Sequence, residues 1–426
     1  MERVIQKSAP LKGELNVAAD KSISHRAVIL SSLATGQSVI RNFLQSQDTI
    51  STCNCMRQLG INIQDRDNVL TIDGKGLNGL QEPEGILNCG NSGTTIRLLT
   101  GLMAPQPFMS VLSGDDSLNK RPMKRVVEPL ETMGALLNGR NNGTYPPLII
   151  SGGRLQGIDY QLPIASAQVK SALLLAGLYA ESETVLTESF KTRDHTEKML
   201  AAMGADIKED NLTVTLTSGR ELSSQEFVVP GDISSAAFFL VAGTIIPGSE
   251  LLLKDIGVNP TRSGIIDILN EMGARIKIEN QRLVGGELVA DLIVSSAHLK
   301  GINIDGEIIP RLIDELPVLA VAMAAAEGES TVHGAAELRV KETDRINAIC
   351  SELAKMGTSI NEMEDGFING SSPLKGNSVD SHGDHRIAMS LAIAGMLASG
   401  ETHINNAGAV NISFPGFWNM MNQLAK

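Results

Sequence analysis

An apolar helix-like run ends in the small-residue turn Ala34-Thr35-Gly36 and passes directly into the strand-like run Ser38-Val39-Ile40. Gly, Pro and small polar residues interrupt regular structure, so this transition predicts the end of a helix followed by a strand. The same transition occurs at five further places, Ala104-Pro105, Ala180-Glu181-Ser182, Pro247-Gly248, Glu327-Gly328 and Ser399-Gly400.

A second marker falls between these transitions, where a Leu-Gly or Met-Gly pair precedes another strand-like run. The pairs are Leu59-Gly60, Met133-Gly134, Met203-Gly204, Met272-Gly273 and Met356-Gly357. Both markers recur at a spacing of about 70 residues, which is the signature of an internal structural repeat. The chain is therefore predicted to contain six helix-strand-helix-strand repeats, an α/β or α+β architecture.

The two helices of each repeat differ in character. The leading helices, such as 27–33 and 388–398, are apolar nearly all round and must be wrapped by other elements on every side. The second helices, such as 196–203, are amphipathic and are expected at the surface. Three repeats per domain, with buried helices covered by sheets, satisfy both requirements.

At 426 residues the chain exceeds one ordinary core and is expected to form two domains of about 200 residues each. A polar, turn-rich run over 218–226 marks the boundary. The sixth repeat lacks a strand after its last helix, so an N-terminal strand over 3–7 is expected to complete it. We predict a lower domain formed by residues 1–13 and 229–426, an upper domain formed by 14–228, and hinge crossovers near 12–20 and 226–231.

Composition narrows the class of function. Hydrophobic residues make up 42% of the chain and the net charge is -12, so a nucleic acid or an anionic membrane surface would be repelled on average. The longest apolar stretch, 317–326, is about half of the roughly 20 residues needed to cross a bilayer, and the N-terminal residues lack a signal-peptide core. We expect a monomeric cytoplasmic protein with no nucleic-acid or membrane partner.

Four cysteines, Cys53, Cys55, Cys89 and Cys350, are too few for a disulfide framework in so long a chain. No His or Cys pair with ligand spacing completes a metal site around them. They are predicted to be structural thiols, and no metal or other cofactor is expected.

Functional differences between the repeats are expected in the segments that precede the leading helices. Helix N-termini leave N–H groups unpaired and carry roughly half a positive charge, so they suit anions. Ser, Asp and Asn in these segments are also ordinary N-caps, and both interpretations remain open. Arg and Lys bind carboxylates and phosphates, and basic side chains, some of them in these segments, occur in both halves. They are Lys21, Arg26, Arg97, Arg121 and Arg193 in the first half and Lys341, Arg345, His385 and Arg386 in the second. A ligand with several negative charges would draw the halves together, so an open free state and a closed bound state are expected.

Two carboxylates accompany the basic residues of the second half. Asp314 precedes a long apolar run, and Glu342 lies between Lys341 and Arg345. Carboxylates in contrasting surroundings suit acid and base roles. The alternative is that both are ion-paired supports for the cations, and that 339–345 is a solvated helix start capped by Thr343 or Asp344.

At these positions the sequence resembles the enolpyruvyl transferase superfamily, and within it the class II branch of the 5-enolpyruvylshikimate-3-phosphate synthase family. The resemblance covers residues 12–415. It rests on motifs in a fixed order: Lys21-Ser22-Ile23-Ser24-His25-Arg26, Gly90-Asn91-Ser92-Gly93-Thr94, Lys120-Arg121-Pro122, Ser166-Ala167-Gln168, Thr192-Arg193-Asp194-His195-Thr196, 339–345 and Gly383-Asp384-His385-Arg386.

The resemblance implies a two-domain inside-out α/β barrel with three βαβαββ repeats per domain. It implies transfer of the enolpyruvyl group of phosphoenolpyruvate to the 5-hydroxyl of shikimate 3-phosphate, with release of phosphate, through a non-covalent tetrahedral intermediate. The residues it implies for catalysis are Asp314, Glu342 and Lys21. Those for shikimate 3-phosphate are Lys21, Ser22, Arg26, Ser166, Ala167, Gln168, Arg193, Asp314 and Lys341. Those for phosphoenolpyruvate are Lys21, Gly93, Arg121, Gln168, Glu342, Arg345 and Arg386, with Asn91, Thr94, Arg97 and His385 in support.

Two positions depart from the family pattern. Ile412 stands where many relatives carry a Lys, and Glu337 stands where the other class carries Asn. The sister transferase that acts on UDP-N-acetylglucosamine is one alternative, but its loop carries a reactive Cys that is absent from 115–119 here. A non-catalytic anion-binding repeat protein is the other alternative, and it gives no reason for Asp314 and Glu342 among the cations.

Overall fold

The computed structural model describes residues 1–424, which fold into two compact units. The terminal unit contains residues 1–18, 230–283 and 288–424, and the internal unit contains 19–229 and 284–287. From the sequence we predict that the upper domain begins at residue 14, whereas in the structure residues 14–18 belong to the terminal unit. The reason is strand Lys12–Leu15, which pairs in parallel with Glu250–Gly257 of that unit.

The leading helices are buried, as their apolar character predicts. All residues of Ile233–Ile245 and Leu316–Ala324 are buried, and so are the residues of Lys21–Leu33 after its first two positions. These helices lie inside and the sheets cover them, which confirms the inside-out arrangement. The internal unit contains Lys21–Leu33, Gly93–Met103 and Ala167–Gly177, and the terminal unit contains Ile233–Ile245, Leu316–Ala324 and His385–Leu397.

Within residues 1–424 each unit has three sheets, and every sheet combines antiparallel with parallel strand pairs. In the internal unit the first sheet has the strand order Leu222–Ser223, Ala34–Arg41, Val69–Lys75, Asn62–Arg66, and Glu226–Val228 also pairs with Ala34–Arg41. The second has the order Leu87–Asn88, Met109–Ser113, Tyr145–Ser151, Leu136–Gly139. The third has the order Asp159–Gln161, Thr184–Thr187, Thr213–Thr217, Asp206–Asp210.

The terminal unit repeats this pattern in two of its sheets, with strand orders Arg275–Val284, Glu287–Ser295, Glu250–Gly257, Lys12–Leu15 and Asn303–Ile304, Glu329–Val332, Gly366–Gly370, Ser359–Met363. The third has the order Arg3–Ile5, Thr402–Asn405, Ser378–Asp380. In that sheet the N-terminal strand is antiparallel to Thr402–Asn405, with Arg3 opposite Ile404.

The second helix of each repeat has one buried face and one solvent-exposed face. These helices are Gln47–Gln58, Lys124–Thr132, His195–Ala202, Gly264–Glu271, Arg345–Lys355 and Phe417–Leu424. Short helical turns are Arg140–Gly143, Ile309–Leu312 and the 3-10 segments Leu118–Lys120, Gly306–Ile308, Ala336–Val340 and Ala407–Ile412.

The four cysteines are buried and form no disulfide. Burial raises the pKa of the Cys53 thiol to about 12, which makes it unreactive at neutral pH. None of the helices within residues 1–424 combines the length and the hydropathy that a bilayer span requires.

Candidate active site

Polar side chains cap the helices that carry the predicted site residues. Asp20 Oδ1 accepts from the N–H of Ile23 at 2.8 Å, and Ser92 Oγ accepts from Thr95 N–H at 3.1 Å. Asp344 likewise caps Arg345–Lys355, so it, rather than Thr343, is the cap of the charged segment. The capping interpretation is therefore correct for these residues, and it leaves the neighbouring Lys and Arg side chains for other partners.

In the internal unit, Arg26 is 3% exposed and is held by two hydroxyl groups. Its Nε donates to Thr196 Oγ1 and its Nη2 donates to Ser171 Oγ, both at 2.7 Å. Its Nη1 donates to the backbone oxygen of Ser22 at 3.0 Å, and Arg193 Nη1 lies 3.5 Å from Ser22 Oγ. The structure thus brings together Ser22, Arg26 and Arg193, for which the family resemblance implies one common anionic ligand.

Lys21 begins the same helix and contacts a carboxylate. Its Nζ lies 3.1 Å from Oδ2 of Asp48, which is in the first turn of Gln47–Gln58. The lysine side chain is 17% exposed, so the ammonium group is partly open to solvent while the carboxylate orients it.

A second cluster in the internal unit surrounds Gly93. Arg97 Nη1 donates to Gln168 Oε1 at 2.7 Å, and Gln168 Nε2 donates to Thr94 Oγ1 at 3.0 Å. A Cβ on Gly93 would lie 2.6 Å from Arg97 Nη1 and 3.3 Å from Arg121 Nη1. Glycine at this position therefore lets two guanidinium groups approach the start of a buried helix.

The remaining predicted residues of the internal unit support these groups. Asn91 Oδ1 accepts from Arg121 Nη2 at 2.6 Å, and Ser117 Oγ accepts from the same nitrogen at 3.3 Å. Ser166 caps Ala167–Gly177, so Gln168 projects from the first turn of that helix.

In the terminal unit, Arg345 binds three carboxylates. Its Nη2 donates to Glu342 Oε2 at 2.6 Å, its Nε donates to Asp384 Oδ2 at 2.7 Å, and its Nη1 donates to Asp314 Oδ1 at 3.2 Å. Burial acts to lower the pKa of Arg345, but the three carboxylates raise it by more, so the guanidinium stays cationic. A fixed cation thereby positions the two candidate proton carriers.

Two more cations flank Asp314. Arg386 Nη1 donates to the backbone oxygen of Asp314 at 3.0 Å and lies 3.7 Å from Glu315 Oε1. Lys341 Nζ lies 3.9 Å from Asp314 Oδ1, and burial lowers the pKa of Lys341 although Asp314 acts in the opposite direction. His385 is buried at the start of the same helix as Arg386.

Several contributing residues escaped the sequence prediction. Asp384 binds Arg345, Asp48 binds Lys21, and Ser171 and Thr196 hold Arg26. Asp384 and Thr196 lie inside motifs that the sequence analysis quotes, and those motifs could have indicated them. Asp48 and Ser171 lie outside these motifs, and only the fold brings them close.

Chemically, the internal unit presents cations at the starts of buried helices, which suits phosphate and carboxylate groups. The terminal unit adds a guanidinium that holds two carboxylates able to move protons. No group of three His, Cys, Asp or Glu side chains suited to a metal ion occurs in the part of the chain that the structure describes.

The chain is similar to known proteins over its full length. The sequence model of the family described as EPSP synthase (3-phosphoshikimate 1-carboxyvinyltransferase) matches residues 5–421. A 3-phosphoshikimate 1-carboxyvinyltransferase from Syntrophomonas wolfei is 63% identical over 426 residues, covering 100% of both chains. Its counterpart from Geobacter metallireducens is 53% identical and covers 97% of both.

A solved structure gives the same result. The EPSP synthase from Acinetobacter baumannii superimposes with a TM-score of 0.88 at 44% identity, covering 99% of this chain and 98% of the other. At this identity and coverage, the repeats and their order are shared along the whole chain.

Proposed function

Because the chain belongs to the EPSP synthase family, we propose that it transfers the enolpyruvyl group of phosphoenolpyruvate to the 5-hydroxyl of shikimate 3-phosphate and releases phosphate. This makes it a transferase of the shikimate pathway, which leads to the aromatic amino acids. The observation that carries the proposal is the match over the entire length to relatives named for this reaction.

Shikimate 3-phosphate supplies a phosphate, a carboxylate and hydroxyl groups. We assign it to Lys21, Ser22, Arg26, Ser166, Ala167, Gln168, Arg193, Asp314 and Lys341. The support within the internal unit is the grouping of Arg26, Arg193 and Ser22, because Arg pairs suit bidentate phosphate contacts.

Phosphoenolpyruvate carries a phosphate and a carboxylate on a small carbon skeleton. We assign it to Lys21, Gly93, Arg121, Gln168, Glu342, Arg345 and Arg386, with Asn91, Thr94, Arg97 and His385 in support. The cluster at Gly93 favours this assignment, because the missing Cβ lets Arg97 and Arg121 approach one helix start.

The chemistry is an addition followed by an elimination. A proton from Glu342 adds to the methylene carbon of phosphoenolpyruvate, and the 5-hydroxyl oxygen forms a bond to the adjacent carbon while its proton passes to Asp314. Loss of a methyl proton to Glu342 then restores the double bond as the C–O bond to phosphate breaks, and the proton on Asp314 passes to the released phosphate. Lys21 is suited to share either proton transfer, and the guanidinium groups hold the anions in place.

We further propose a monomeric cytoplasmic enzyme that needs no cofactor. The reaction is neither a redox step nor a hydrolysis, and the fixed cations Arg345 and Arg386 supply the charge that a metal ion would otherwise provide. Two of the places where the chain passes between the units, 18–19 and 229–230, are candidate hinges for closure on substrate.

The alternatives are less well supported. The sister transferase acting on UDP-N-acetylglucosamine is not favoured, because the relatives carry the other name and 115–119 contains no Cys. A non-catalytic scaffold is not favoured, because the relatives that match the chain over its length are named for an enzyme.

Phosphate release with both substrates tests the proposal. Release that depends on shikimate 3-phosphate and phosphoenolpyruvate together is expected. Release with UDP-N-acetylglucosamine in place of shikimate 3-phosphate would favour the sister reaction, and no release with either acceptor would favour the scaffold.

A further inference from the structure

A buried ion cluster lies in the internal unit beside the residues assigned to shikimate 3-phosphate. Lys170 is 0% exposed, and its Nζ lies 2.8 Å from Glu188 Oε2 and 2.5 Å from Glu197 Oε1. Both carboxylates are also buried. Ion pairs buried this completely are costly to desolvate, and apolar replacements are often as stable, so a role besides stability is a reasonable hypothesis.

The three members come from three segments, and the segments of Lys170 and Glu188 each carry a proposed ligand contact. Lys170 lies in Ala167–Gly177, two residues after Gln168. Glu188 follows strand Thr184–Thr187 and starts the loop that carries Arg193. Glu197 lies in His195–Ala202.

Specific hydrogen bonds join the cluster to the loop. Glu188 Oε1 accepts from the N–H of Thr192 at 3.3 Å and also from its hydroxyl group. Thr192 immediately precedes Arg193. The carboxylate that Lys170 holds therefore fixes the backbone from which Arg193 extends toward Ser22.

The cluster is also connected to Arg26. Ser171, the residue after Lys170, shares a 2.7 Å contact with Thr196, the residue before Glu197. Both hydroxyl groups accept from the Arg26 guanidinium. Pulling Lys170 and Glu197 together thus sets the spacing of the two acceptors that orient Arg26.

We propose that Lys170 is a positioning residue for the phosphorylated acceptor, acting through Glu188 and Glu197 to place Arg193 and Arg26. The proposal rests on the proposed function. Lys170 itself does not touch the ligand, so its effect is expected on acceptor binding and much less on the proton transfers at Glu342.

The main test uses the double variant Lys170→Met with Glu197→Gln. It removes one buried cation and one buried anion together, so the net formal charge of the cluster is unchanged. Glu188 loses its ammonium partner but keeps its bonds from Thr192. Calorimetric titration should show the Kd of shikimate 3-phosphate raised about tenfold or more, since a misplaced guanidinium loses its phosphate contact. The KM of phosphoenolpyruvate should stay within about twofold of its original value.

A milder variant, Thr192→Val, leaves all three ions in place and removes only the hydroxyl donor to Glu188. It should raise the acceptor Kd by about threefold. The matched control is Lys191→Met, which removes a cation from the same loop. Lys191 pairs with Glu209 at 2.5 Å, its side chain is 30% exposed, and its loss should leave the acceptor Kd unchanged.

A purely structural role would lower the melting temperature of the double variant and leave the acceptor Kd of the folded protein unaltered. Acceptor Kd values within about twofold of wild type for Thr192→Val and for the folded double variant would overturn the proposal. If the double variant is not recovered folded, Thr192→Val decides alone. Failure of the wild-type protein to bind shikimate 3-phosphate would instead refute the proposed function itself.

Discussion

Arg345 donates from Nη2 to Glu342 Oε2 at 2.6 Å; Arg345 is the first residue of helix Arg345–Lys355, and Glu342 precedes it by three positions. The same guanidinium is anchored by Asp384, which is fully buried. Glu342 is therefore aimed by a cation that cannot move without breaking a buried ion pair. This relationship gives the carboxylate a fixed direction, which proton transfer to carbon requires.

Replacing Arg345 by Lys should reduce kcat by about 100-fold, because a point ammonium cannot hold three carboxylates in the plane of a guanidinium. Steady-state phosphate release measures this loss. The control is Arg282→Lys, since Arg282 is also paired but its side chain is 40% exposed. A folded Arg345→Lys enzyme with more than about a third of wild-type kcat would contradict the role given to this contact.

Gly93→Ala should raise the KM of phosphoenolpyruvate more than that of shikimate 3-phosphate. The new Cβ would lie 2.6 Å from Arg97 Nη1, which must move and give up its bond to Gln168. A change of about tenfold is expected, comparable to the loss of one charge-assisted contact. Gly85→Ala is the control because nothing lies within 4 Å of its added Cβ, and equal effects of the two substitutions would refute the assignment.

The affinity for shikimate 3-phosphate should decline at a lower pH than it would if Lys341 had the pKa of an ordinary lysine. Burial lowers the pKa of Lys341 from its usual 10.5, and the anion requires the protonated form. Binding is therefore lost as pH rises through this lowered pKa. Titrations of shikimate 3-phosphate between about pH 7 and pH 10 should show the decline in wild type, while Lys341→Arg keeps its charge and moves the decline upward. Identical pH profiles for the two proteins would exclude Lys341 as the titrating group.

Stability should fall in mild acid because of His25. Burial, with the charges of Lys21 and Arg26, holds the pKa of His25 well below 6.5, so the folded state keeps it neutral while the unfolded state takes up a proton. Below pH 6.5 this group should cost about 1.4 kcal/mol of unfolding free energy per pH unit, down to the folded pKa. His25→Gln retains a partner for Thr52 Oγ1, which lies 2.7 Å from Nδ1, and should flatten this slope in urea unfolding. An unchanged slope would show that other groups dominate.

Much of the fold could be predicted from the sequence, because the helix-to-strand transitions repeat and the leading helices are apolar all round. The residue at which the internal unit starts could not be predicted from the sequence. Strand Lys12–Leu15 has the sequence KGEL, which lacks the apolar alternation of a strand, and only its pairing with Glu250–Gly257 assigns it to the terminal unit.

In the candidate site, too, some residues could be predicted from the sequence and others could not. Lys21, Arg26, Glu342 and Arg345 stand in dense motifs, and local sequence is enough to select them. Their partners depend on contacts between distant segments: Thr196 lies 170 positions from Arg26, and Asp384 lies 39 positions from Arg345. The sequence shows that Lys170 is a charged residue within an apolar helix, but it does not show which two carboxylates pair with it.

Glu342→Gln, assayed in D₂O with both substrates, tests the central claim most directly. The wild-type protein should release phosphate only when both substrates are present, and the methylene group of its product should contain deuterium. The variant should lose phosphate release by about 10³-fold, within the range for a lost acid-base group, while still binding shikimate 3-phosphate. A wild-type protein that releases no phosphate, or a variant that turns over at the wild-type rate, would contradict it.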